Sequence, residues 1–548
     1  AGQHAAQLRA SLSMLAELFC HGYAFAAGRL LAGMLPRLAR LPAYPFTRAR
    51  HWVRQAQDAT LPGLPATVAP AALASTHPAP PVSRDGGSTM LLLPVWDRAV
   101  PVPHAAAALP QGGLLLVGGT PAAIDAARQI DPAAIILQAE GGNEGAGLAR
   151  QLDGQNPVGH VVWLVASQPA AVDENEAAIA AQEQGVLAGF RLLGALLAQG
   201  YGARALDFTV ITVRAQSIGA ADRSDAAHAS VHGLVGALAK ERPNWNIRLA
   251  DLPAHDAVPL QTVLSLRPDR RGHAWVYRHG QWYRRHLAPV RSHGHPRAPY
   301  RHRGVYIVIG GAGDVGLAWS AYLARHHQAR IVWVGRRQRD AAIDAALARL
   351  EALGTAPLYF SADASSRESL AAVRAAVLAQ HGEIHGVVHA AMVFANQALA
   401  GMTEREFEAV LRAKVDVSVR ISQVFGRDAL DFLLFFSSMV SLIKNPRQAH
   451  YAAGCTFKDA YARQLAHSVA YPVKVVNWGY WSGPKNANAD EVQRLADVGL
   501  GLIDVEDAMK ALDVLLGSPL QQLAVMRLVG ALEVEGMEAE ETIDLYPN

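Results

Sequence analysis

Short apolar runs alternate with longer segments of mixed apolar and polar residues through most of this 548-residue chain. Before residue 290 the runs include 113–117 and 161–165, and after it they include 305–309 and 330–335. Short apolar runs separated by helical segments are typical of a parallel sheet covered by helices. The pattern therefore predicts an α/β protein in which two successive parts of the chain each form such a sheet.

The run at 305–309 leads into a glycine-rich turn and then into a helical segment that reaches about Ala324. Glycines at these spacings permit a tight turn and let the helix N-terminus approach a pyrophosphate. The apolar run at 330–335 then completes a βαβ unit. The sequence predicts a dinucleotide site here, with contacts from Gly311, Gly313, Asp314, Val315 and Gly316.

Two arginines, Arg336 and Arg337, directly follow the second strand of this unit, where the cofactor ribose is expected. An NAD site usually has an acidic residue there, whereas arginine suits the additional phosphate of NADP. We therefore predict NADPH, with Arg336 as the main contact; the alternative is that both arginines are solvated surface residues. Asp363 and Ala364 end the next strand and are predicted to meet the adenine, while a helix N-cap is the alternative for Asp363.

Ser438 and Tyr451 lie thirteen residues apart downstream of the glycine turn. Reduction of a carbonyl needs a hydride donor, a proton donor and hydrogen bonds to the negative charge that develops on oxygen. A tyrosine can supply the proton if a nearby cation lowers its pKa from about 10. This pair, downstream of a nucleotide-type turn, predicts hydride chemistry on a carbonyl.

With these residues the chain resembles the ketoreductase domains of modular polyketide synthases, a branch of the short-chain dehydrogenase/reductases. In the simplest short-chain reductases a lysine lies four residues after the tyrosine, where this chain has Cys455. In ketoreductase domains the lysine stands twenty-four residues before the serine, and Lys414 matches that spacing to Ser438. The resemblance implies that Tyr451 donates the proton, Ser438 binds the substrate oxygen and Lys414 lowers the pKa of the tyrosine.

Cys455 departs from the family pattern, which has asparagine at this position. A thiol does not reproduce the hydrogen bonding of an amide, so the sequence does not identify the last member of the proton relay. The alternative for Cys455 is a small buried packing residue. The phrase from Tyr451 to Asp459, Tyr-Ala-Ala-Gly-Cys-Thr-Phe-Lys-Asp, is similar to ketoreductases of synthases whose acyltransferase acts in trans.

The resemblance extends to the segments around the substrate. It implies that His389, Ala390 and Ala391 contact the cofactor and that residues 482–500 form a lid. Family members that give the D-alcohol carry Leu-Asp-Asp where this chain has Phe394, Ala395 and Asn396, and the tryptophan of many L-producers falls at Ile443. The missing aspartates favour the L-alcohol, and Gln448 does not decide the configuration.

The resemblance also implies five segments. Residues 1–57 are similar to the linker that follows a ketosynthase, and residues 58–88 are predicted to be a flexible tether rich in alanine and proline. Residues 89–297 lack the glycine motif and the Ser/Tyr/Lys set, so they are expected to be a degenerate, structural Rossmann-like subdomain. Residues 298–532 are the predicted catalytic NADPH-binding subdomain, and residues 533–548 an acidic C-terminal tail, as in a piece of a longer polypeptide.

Composition narrows the function classes. The formal net charge is +3 and the basic residues are scattered, so nucleic acid is not an expected partner. Cys20 and Cys455 are too few and too distant for a disulfide framework or a metal cluster, and a reducing cytoplasm fits. Glycine, proline and arginine interleave the histidines of residues 290–303, which favours a linker over a metal site. No run of eighteen apolar residues predicts a membrane span.

Taken together, the residues and the resemblance predict reduction of the β-keto group of an acyl chain carried as a phosphopantetheine thioester on an acyl carrier protein, with NADPH as the hydride source. A neighbouring ketosynthase and other synthase domains are the further expected partners, and antibiotic biosynthesis is the expected setting. Three alternatives stay open: a free-standing carbonyl reductase, a catalytically silent scaffold, and an epimerase that uses bound NADPH transiently.

Overall fold

The computed structural model describes residues 87–101, 112–137, 157–166, 174–219, 222–294, 298–393, 395–482, 489–530, 534–537 and 542–546. The predicted linker at 1–57 and nearly all of the tether at 58–88 lie outside the described residues, as does Phe394. Part of the predicted lid, residues 483–488, is also outside them. The described residues contain no helix that is both long and apolar enough to span a membrane.

The described residues form seventeen strands that share one hydrogen-bonded sheet. The strands are β1 Ser88–Arg98, β2 Leu114–Val117, β3 Ile135–Leu137, β4 His160–Leu164, β5 Leu206–Val213, β6 Trp245–Leu252, β7 Trp275–Arg278, β8 Gln281–Ser292, β9 Val305–Ile309, β10 Arg330–Gly335, β11 Leu358–Ser361, β12 Gly386–His389, β13 Phe432–Ser438, β14 Val473–Trp478, β15 Leu500–Gly501, β16 Gln522–Leu528 and β17 Ile543–Leu545.

The strand order is β3-β2-β4-β5-β6-β7-β8-β1-β16-β14-β13-β12-β9-β10-β11, with β15 beside β16 and β17 beside β8. Strands β2 to β7 run parallel to one another and form one lobe, and β9 to β14 with β16 do the same in a second lobe. The chain order reverses in the second lobe at β9, which lies between β10 and β12. Such a reversal opens a crevice at the carboxyl ends of the strands.

Helices cover the faces of both lobes. They are α1 Pro121–Ile130, α2 Glu174–Gln182, α3 Ala188–Ala198, α4 Ala226–Glu241, α5 Leu260–Leu264, α6 Asp314–His327, α7 Ala341–Glu351, α8 Arg367–His381, α9 Glu404–Arg412, α10 Val415–Phe425, α11 Val440–Ile443, α12 Ala449–Leu465, α13 Ala489–Asp497 and α14 Val505–Leu516. Several begin at side-chain caps that the sequence encodes; Thr403 and Glu406, for example, form a reciprocal capping box at α9. Residues 183–187 form a π-helical turn between α2 and α3.

Strand β1 joins the two lobes. It pairs antiparallel with β8 of the first lobe and with β16 of the second, so that Leu91 faces Val290 on one side and Val525 on the other. The last described residues return to this region, where β17 pairs parallel with β8. The α/β, Rossmann-like architecture expected from the sequence is confirmed, and the sheet is continuous across both lobes.

The lobes also meet through two helices, α4 of the first lobe and α12 of the second. A methyl group built on Gly233 of α4 would lie only 2.3 Å from the backbone carbon of Ala452 and the nitrogen of Ala453. The bare Cα of Gly233 is therefore what allows these two backbones to touch. Because Tyr451 directly precedes Ala452, the first lobe sets the position of the helix that carries the tyrosine.

Candidate active site

A cavity of about 820 Å³ opens at the carboxyl ends of the strands of the second lobe. The ends of β9, β10, β13 and β14 contribute Ile309, Val334, Phe436 and Trp478 to its wall. Its lining includes both the glycine turn and the Ser438 and Tyr451 pair. The topological reversal at β9 thus brings together two motifs that lie far apart in the sequence.

The glycine turn owes its shape to close backbone packing. Gly310 has φ +85°, and a Cβ on it would lie 2.6 Å from the Ala391 nitrogen. Gly311 lies against the indole of Trp333, where a Cβ would come within 2.1 Å of the ring. Of the predicted contacts, Gly313, Asp314, Val315 and Gly316 line the cavity, whereas Gly311 lies behind it and Gly310, which was not predicted, lines it. The missing side chain of Gly311 therefore lets the turn pack against Trp333 of β10.

The residues predicted to select the cofactor line the same cavity at the end of β10. Arg336 and Arg337 are both exposed, and the Arg337 Nε lies 3.1 Å from the Asp340 carboxylate. No ion pair among the described residues involves Arg336. Asp363 also lines the cavity, and its carboxylate accepts from the Ser365 nitrogen at 3.0 Å and the Ser365 hydroxyl at 2.8 Å. The N-cap of α8 is Ser366, so the capping alternative for Asp363 is wrong.

Three polar side chains meet at the opposite end of the cavity. Ser438 ends β13, Tyr451 lies in the first turn of α12, and Lys414 lies at the bend between α9 and α10. The Lys414 Nζ is 4.3 Å from the centre of the Tyr451 ring, and Ser438 hydrogen-bonds with the tyrosine hydroxyl. The residues that the family resemblance grouped are thus close together in space, and all three line the cavity.

Comparison with known proteins identifies the family of this chain. Residues 304–483 match the family model of the KR domain. Polyketide synthase PksM of Bacillus subtilis (strain 168) is 46% identical over 402 residues, which is 73% of this chain. This chain belongs to the polyketide synthase KR family. Polyketide synthase PksN of the same organism is 40% identical over 459 residues, or 84% of the chain. The chain spans only 9% and 8% of the length of these two relatives.

Solved structures agree with the KR assignment. An A1-type ketoreductase is 25% identical, with a TM-score of 0.63 that covers 80% of this chain and 93% of that one. An N-terminal ketoreductase from the macrolactin assembly line has a TM-score of 0.68, covering 82% and 93% of the two chains, at 19% identity. KR domains are short-chain-type oxidoreductases that depend on a nicotinamide cofactor.

The pKa of Tyr451 is raised, whereas the sequence predicted that it would be lowered. Burial raises the pKa of Tyr451 well above 10, because the apolar surroundings disfavour a phenolate; Ser438 opposes this effect by hydrogen bonding. The expected net lowering of this pKa is therefore wrong for the protein alone. The phenol keeps its proton throughout the neutral range, which suits a group that has to donate one.

Cys455 lies one turn beyond the tyrosine, fully buried and outside the cavity lining. Burial raises the pKa of its thiol, while Lys414 and Lys458 favour the thiolate and lower it. The neighbouring Gly454 leaves room for the lysine stem, since a Cβ there would lie 2.7 Å from the Lys414 Cδ. Cys455 thus interacts with Lys414, at the position where the resemblance implies an amide.

A buried polar network beneath Ser438 was not predicted. The Asp459 carboxylate accepts from Ser441 at 2.6 Å and from Asn477 at 2.8 Å, and the Asn477 amide also donates to the Ser438 carbonyl at 3.2 Å. The Lys458 Nζ donates to the Phe436 carbonyl at 3.0 Å. These bonds fix the end of β13 against α12. The available signal was the adjacent charged pair Lys458-Asp459 in a helix whose neighbouring residues are mostly apolar.

The remaining predicted contacts divide into two groups. Ala364, Ala390, Ala391, Ile443 and Gln448 line the cavity, whereas His389, Ala395 and Asn396 do not. His389 is completely buried, and burial lowers its pKa well below 6.5. Met392 was not predicted, yet its thioether accepts a hydrogen bond from the Tyr451 hydroxyl at 3.4 Å. The Met392 side chain is 62% exposed.

Proposed function

We propose that this KR chain uses NADPH to reduce the β-keto group of an acyl thioester carried by an acyl carrier protein, giving the β-hydroxyacyl thioester. The observation that carries the proposal is the grouping of Tyr451, Ser438 and Lys414 in the same cavity as the glycine turn. A proton donor and a nucleotide-type turn that share one cavity fit hydride transfer to a carbonyl.

The residues present fit a dinucleotide. Gly310, Gly313 and Gly316 of the turn line the cavity without side chains, which leaves room for a pyrophosphate. The N-terminus of α6 faces the cavity through Asp314 and Val315. Arg336, exposed at the end of β10, has the position and charge to bind a 2′-phosphate, which supports NADPH over NADH. When bound, NADPH supplies the hydride.

The chain's own residues account for the proton and the orientation of the substrate. The Tyr451 phenol, held protonated by burial, donates to the carbonyl oxygen as negative charge develops there. The Ser438 hydroxyl binds the same oxygen. The Lys414 ammonium, 4.3 Å from the ring centre, stabilises the phenolate that proton transfer leaves behind. A positioned general acid contributes a rate factor of about 10² to 10⁴.

The acyl carrier protein and the neighbouring ketosynthase are proposed as partners, because the matching part of each relative is a small segment of a polyketide synthase. The absence of Asp at Ala395 and Asn396 supports the L-alcohol as product. The division at residue 298 into a structural and a catalytic subdomain is part of the same proposal.

The test is NADPH oxidation with a soluble β-ketoacyl thioester, with the alcohol enantiomers separated on a chiral column. Tyr451→Phe is expected to reduce kcat by at least about 100-fold, since the general acid is lost. Tyr461→Phe is the matched control: it lies on the same helix, and its buried hydroxyl contacts Ser422 rather than the cavity. Equal activity of native protein and Tyr451→Phe would refute the proposed role.

One observation favours a second candidate, a catalytically silent scaffold. Cys455 replaces the amide that completes the relay in the family, and its thiol is buried against Lys414. A scaffold binds NADPH, as measured by cofactor fluorescence, without turnover, and Cys455→Asn would then be expected to restore activity. Exchange of substrate α-hydrogen without net NADPH loss would instead indicate an epimerase.

A further inference from the structure

The segment 442–448 forms one wall of the substrate end of the cavity. Ile443, Asn445 and Gln448 line the cavity, and Tyr451 follows within one helical turn. The segment connects α11 to α12 and contains two non-glycine residues with positive φ, Lys444 at +51° and Arg447 at +64°. Non-glycine residues rarely adopt such conformations, which persist only where neighbouring groups hold them.

The groups that hold this segment belong to the other lobe. Lys240 donates to the Ile443 carbonyl, and the Arg447 nitrogen donates to the Glu241 carboxylate at 2.7 Å. The Lys444 Nζ donates to the Gly272 carbonyl at 2.9 Å, and Arg285 donates to the Leu442 carbonyl at 3.3 Å. Four hydrogen bonds from the first lobe therefore fix the backbone and one side chain of this segment.

Glu241 also binds a second segment, residues 397–399, which lies outside the cavity lining. Its second carboxylate oxygen accepts from the Leu399 nitrogen at 3.0 Å, while the Gln397 nitrogen donates to the Arg447 carbonyl at 2.8 Å. Residues 397–399 follow the predicted stereocontrol positions Ala395 and Asn396. One carboxylate at the end of α4 thus ties the cavity wall at 442–448 to the neighbouring segment 397–399.

The Lys444 side chain packs closely against α4 of the first lobe. Its side chain is buried, with 3% of its surface exposed. A Cβ on Gly236 of α4 would lie 2.0 Å from the Lys444 Cδ, so the lysine stem crosses α4 at a glycine. The first lobe thus supplies a carbonyl acceptor at Gly272, a glycine gap at Gly236 and the Lys240 and Glu241 pair for this one segment.

We propose that Glu241 is a positioning residue for substrate recognition: through Arg447 and Leu399 it holds the 442–448 and 397–399 segments in the conformation that presents the acyl chain to Tyr451. The first lobe, which lacks the nucleotide-binding turn, thereby helps to set which face of the ketone meets the hydride donor. This inference rests on the proposed ketoreductase function. Glu241 does not line the cavity, so we expect it to act only through the geometry of the substrate wall.

The test compares Glu241→Ala and Glu241→Gln with native protein, and Glu176→Gln serves as the matched control. Glu176 also links the first lobe to the second by a carboxylate contact, but its partners Arg420 and Gln423 lie outside the cavity. Glu241→Ala is expected to raise KM for the thioester about tenfold and to shift the ratio of the two alcohol enantiomers, because a charge-assisted anchor of the wall is lost. The dissociation constant for NADPH is expected to stay within about twofold of native, since the glycine turn is untouched.

Hydrogen exchange of residues 443–448, measured on the protein without substrate, gives a second readout. Exchange at the Arg447 amide is expected to quicken by about tenfold in Glu241→Ala and to stay native in Glu176→Gln. If native protein shows no ketoreduction, the proposed function fails and this exchange result still decides the positioning role. Glu241→Gln, which keeps the side-chain volume, carries the test should the alanine variant not fold. Native exchange together with an unchanged enantiomer ratio would overturn the inference.

Discussion

A substitution at Gly233 tests whether the contact between the two lobes affects catalysis, because Gly233 touches the backbone directly after Tyr451. In Gly233→Ala the new methyl would lie 2.3 Å from the Ala452 carbon and the Ala453 nitrogen and 2.4 Å from the Ala452 oxygen. All three are backbone atoms, so no side-chain rotation relieves the contact. Restoring ordinary carbon contacts of about 3.5 Å requires α4 and α12 to separate by about 1 Å.

The expected consequence is a loss of rate larger than the loss of stability. Overpacking costs about 1 to 3 kcal/mol, of which the better helix propensity of alanine recovers up to about 1 kcal/mol. A displacement of about 1 Å at a reacting group can lower the rate by about 100-fold. We therefore expect Gly233→Ala to stay folded and to bind NADPH with native affinity, while kcat falls about 10- to 100-fold.

The assay is NADPH oxidation with the β-ketoacyl thioester, together with thermal unfolding and cofactor fluorescence. Gly194→Ala is the matched control: it also lies within a helix of the first lobe, and its added Cβ meets no atom within 4 Å. That control is expected to gain about 0.5 to 1 kcal/mol in stability with unchanged kcat. A Gly233→Ala protein that matches native kcat would show that the close helix contact does not position Tyr451.

Two further predictions concern the cofactor and pH. Arg336→Gln is expected to lower the preference for NADPH over NADH about tenfold in kcat/KM, because the charge available to the 2′-phosphate is lost. The control is Arg337→Gln, since the native Arg337 side chain pairs with Asp340. An equal loss of preference in both variants would contradict the assignment to Arg336. Burial lowers the pKa of His160 from 6.5 to about 4, so the unfolded chain binds more protons between these values and stability falls as pH drops from 6.5 towards 4. This residue alone accounts for up to about 3 kcal/mol, and a His160→Gln protein is expected to show a shallower fall of the thermal midpoint; identical pH profiles would refute this.

Local signals in the sequence were sufficient for the fold of the second lobe. Each apolar run there became a parallel strand, and the glycine turn follows β9 as predicted. Lys414 was found through the family resemblance, which implies a lysine twenty-four residues before Ser438. The grouping of Tyr451 with Lys414 needed the family resemblance, since nothing local brings position 414 to position 451.

What the sequence did not reveal depends on long-range packing. Burial of Tyr451, which raises its pKa, comes from neighbours in other elements and has no local signature. Gly311 fits the nucleotide-binding motif but packs on Trp333, because motif spacing does not separate glycines that face a ligand from those that face a strand. The contact of Met392 with the tyrosine hydroxyl is likewise tertiary. The hydrogen bond from the Arg447 nitrogen to the Glu241 carboxylate is also a tertiary contact without a local signal in the sequence.

The two partners of strand β1 are synthesised at different times, so its two pairings form in sequence. It can pair with β8 early in synthesis, but its other partner, β16, begins at Gln522, more than 400 residues after β1 ends at Arg98. At about 5 to 20 residues per second, ribosomes would leave that edge of β1 open for about 20 to 90 s. An open edge strand is a template for wrong pairing. The junction that unites the finished lobes is therefore the place where the nascent chain most needs protection, and cutting the chain between the lobes would recreate that exposed edge permanently.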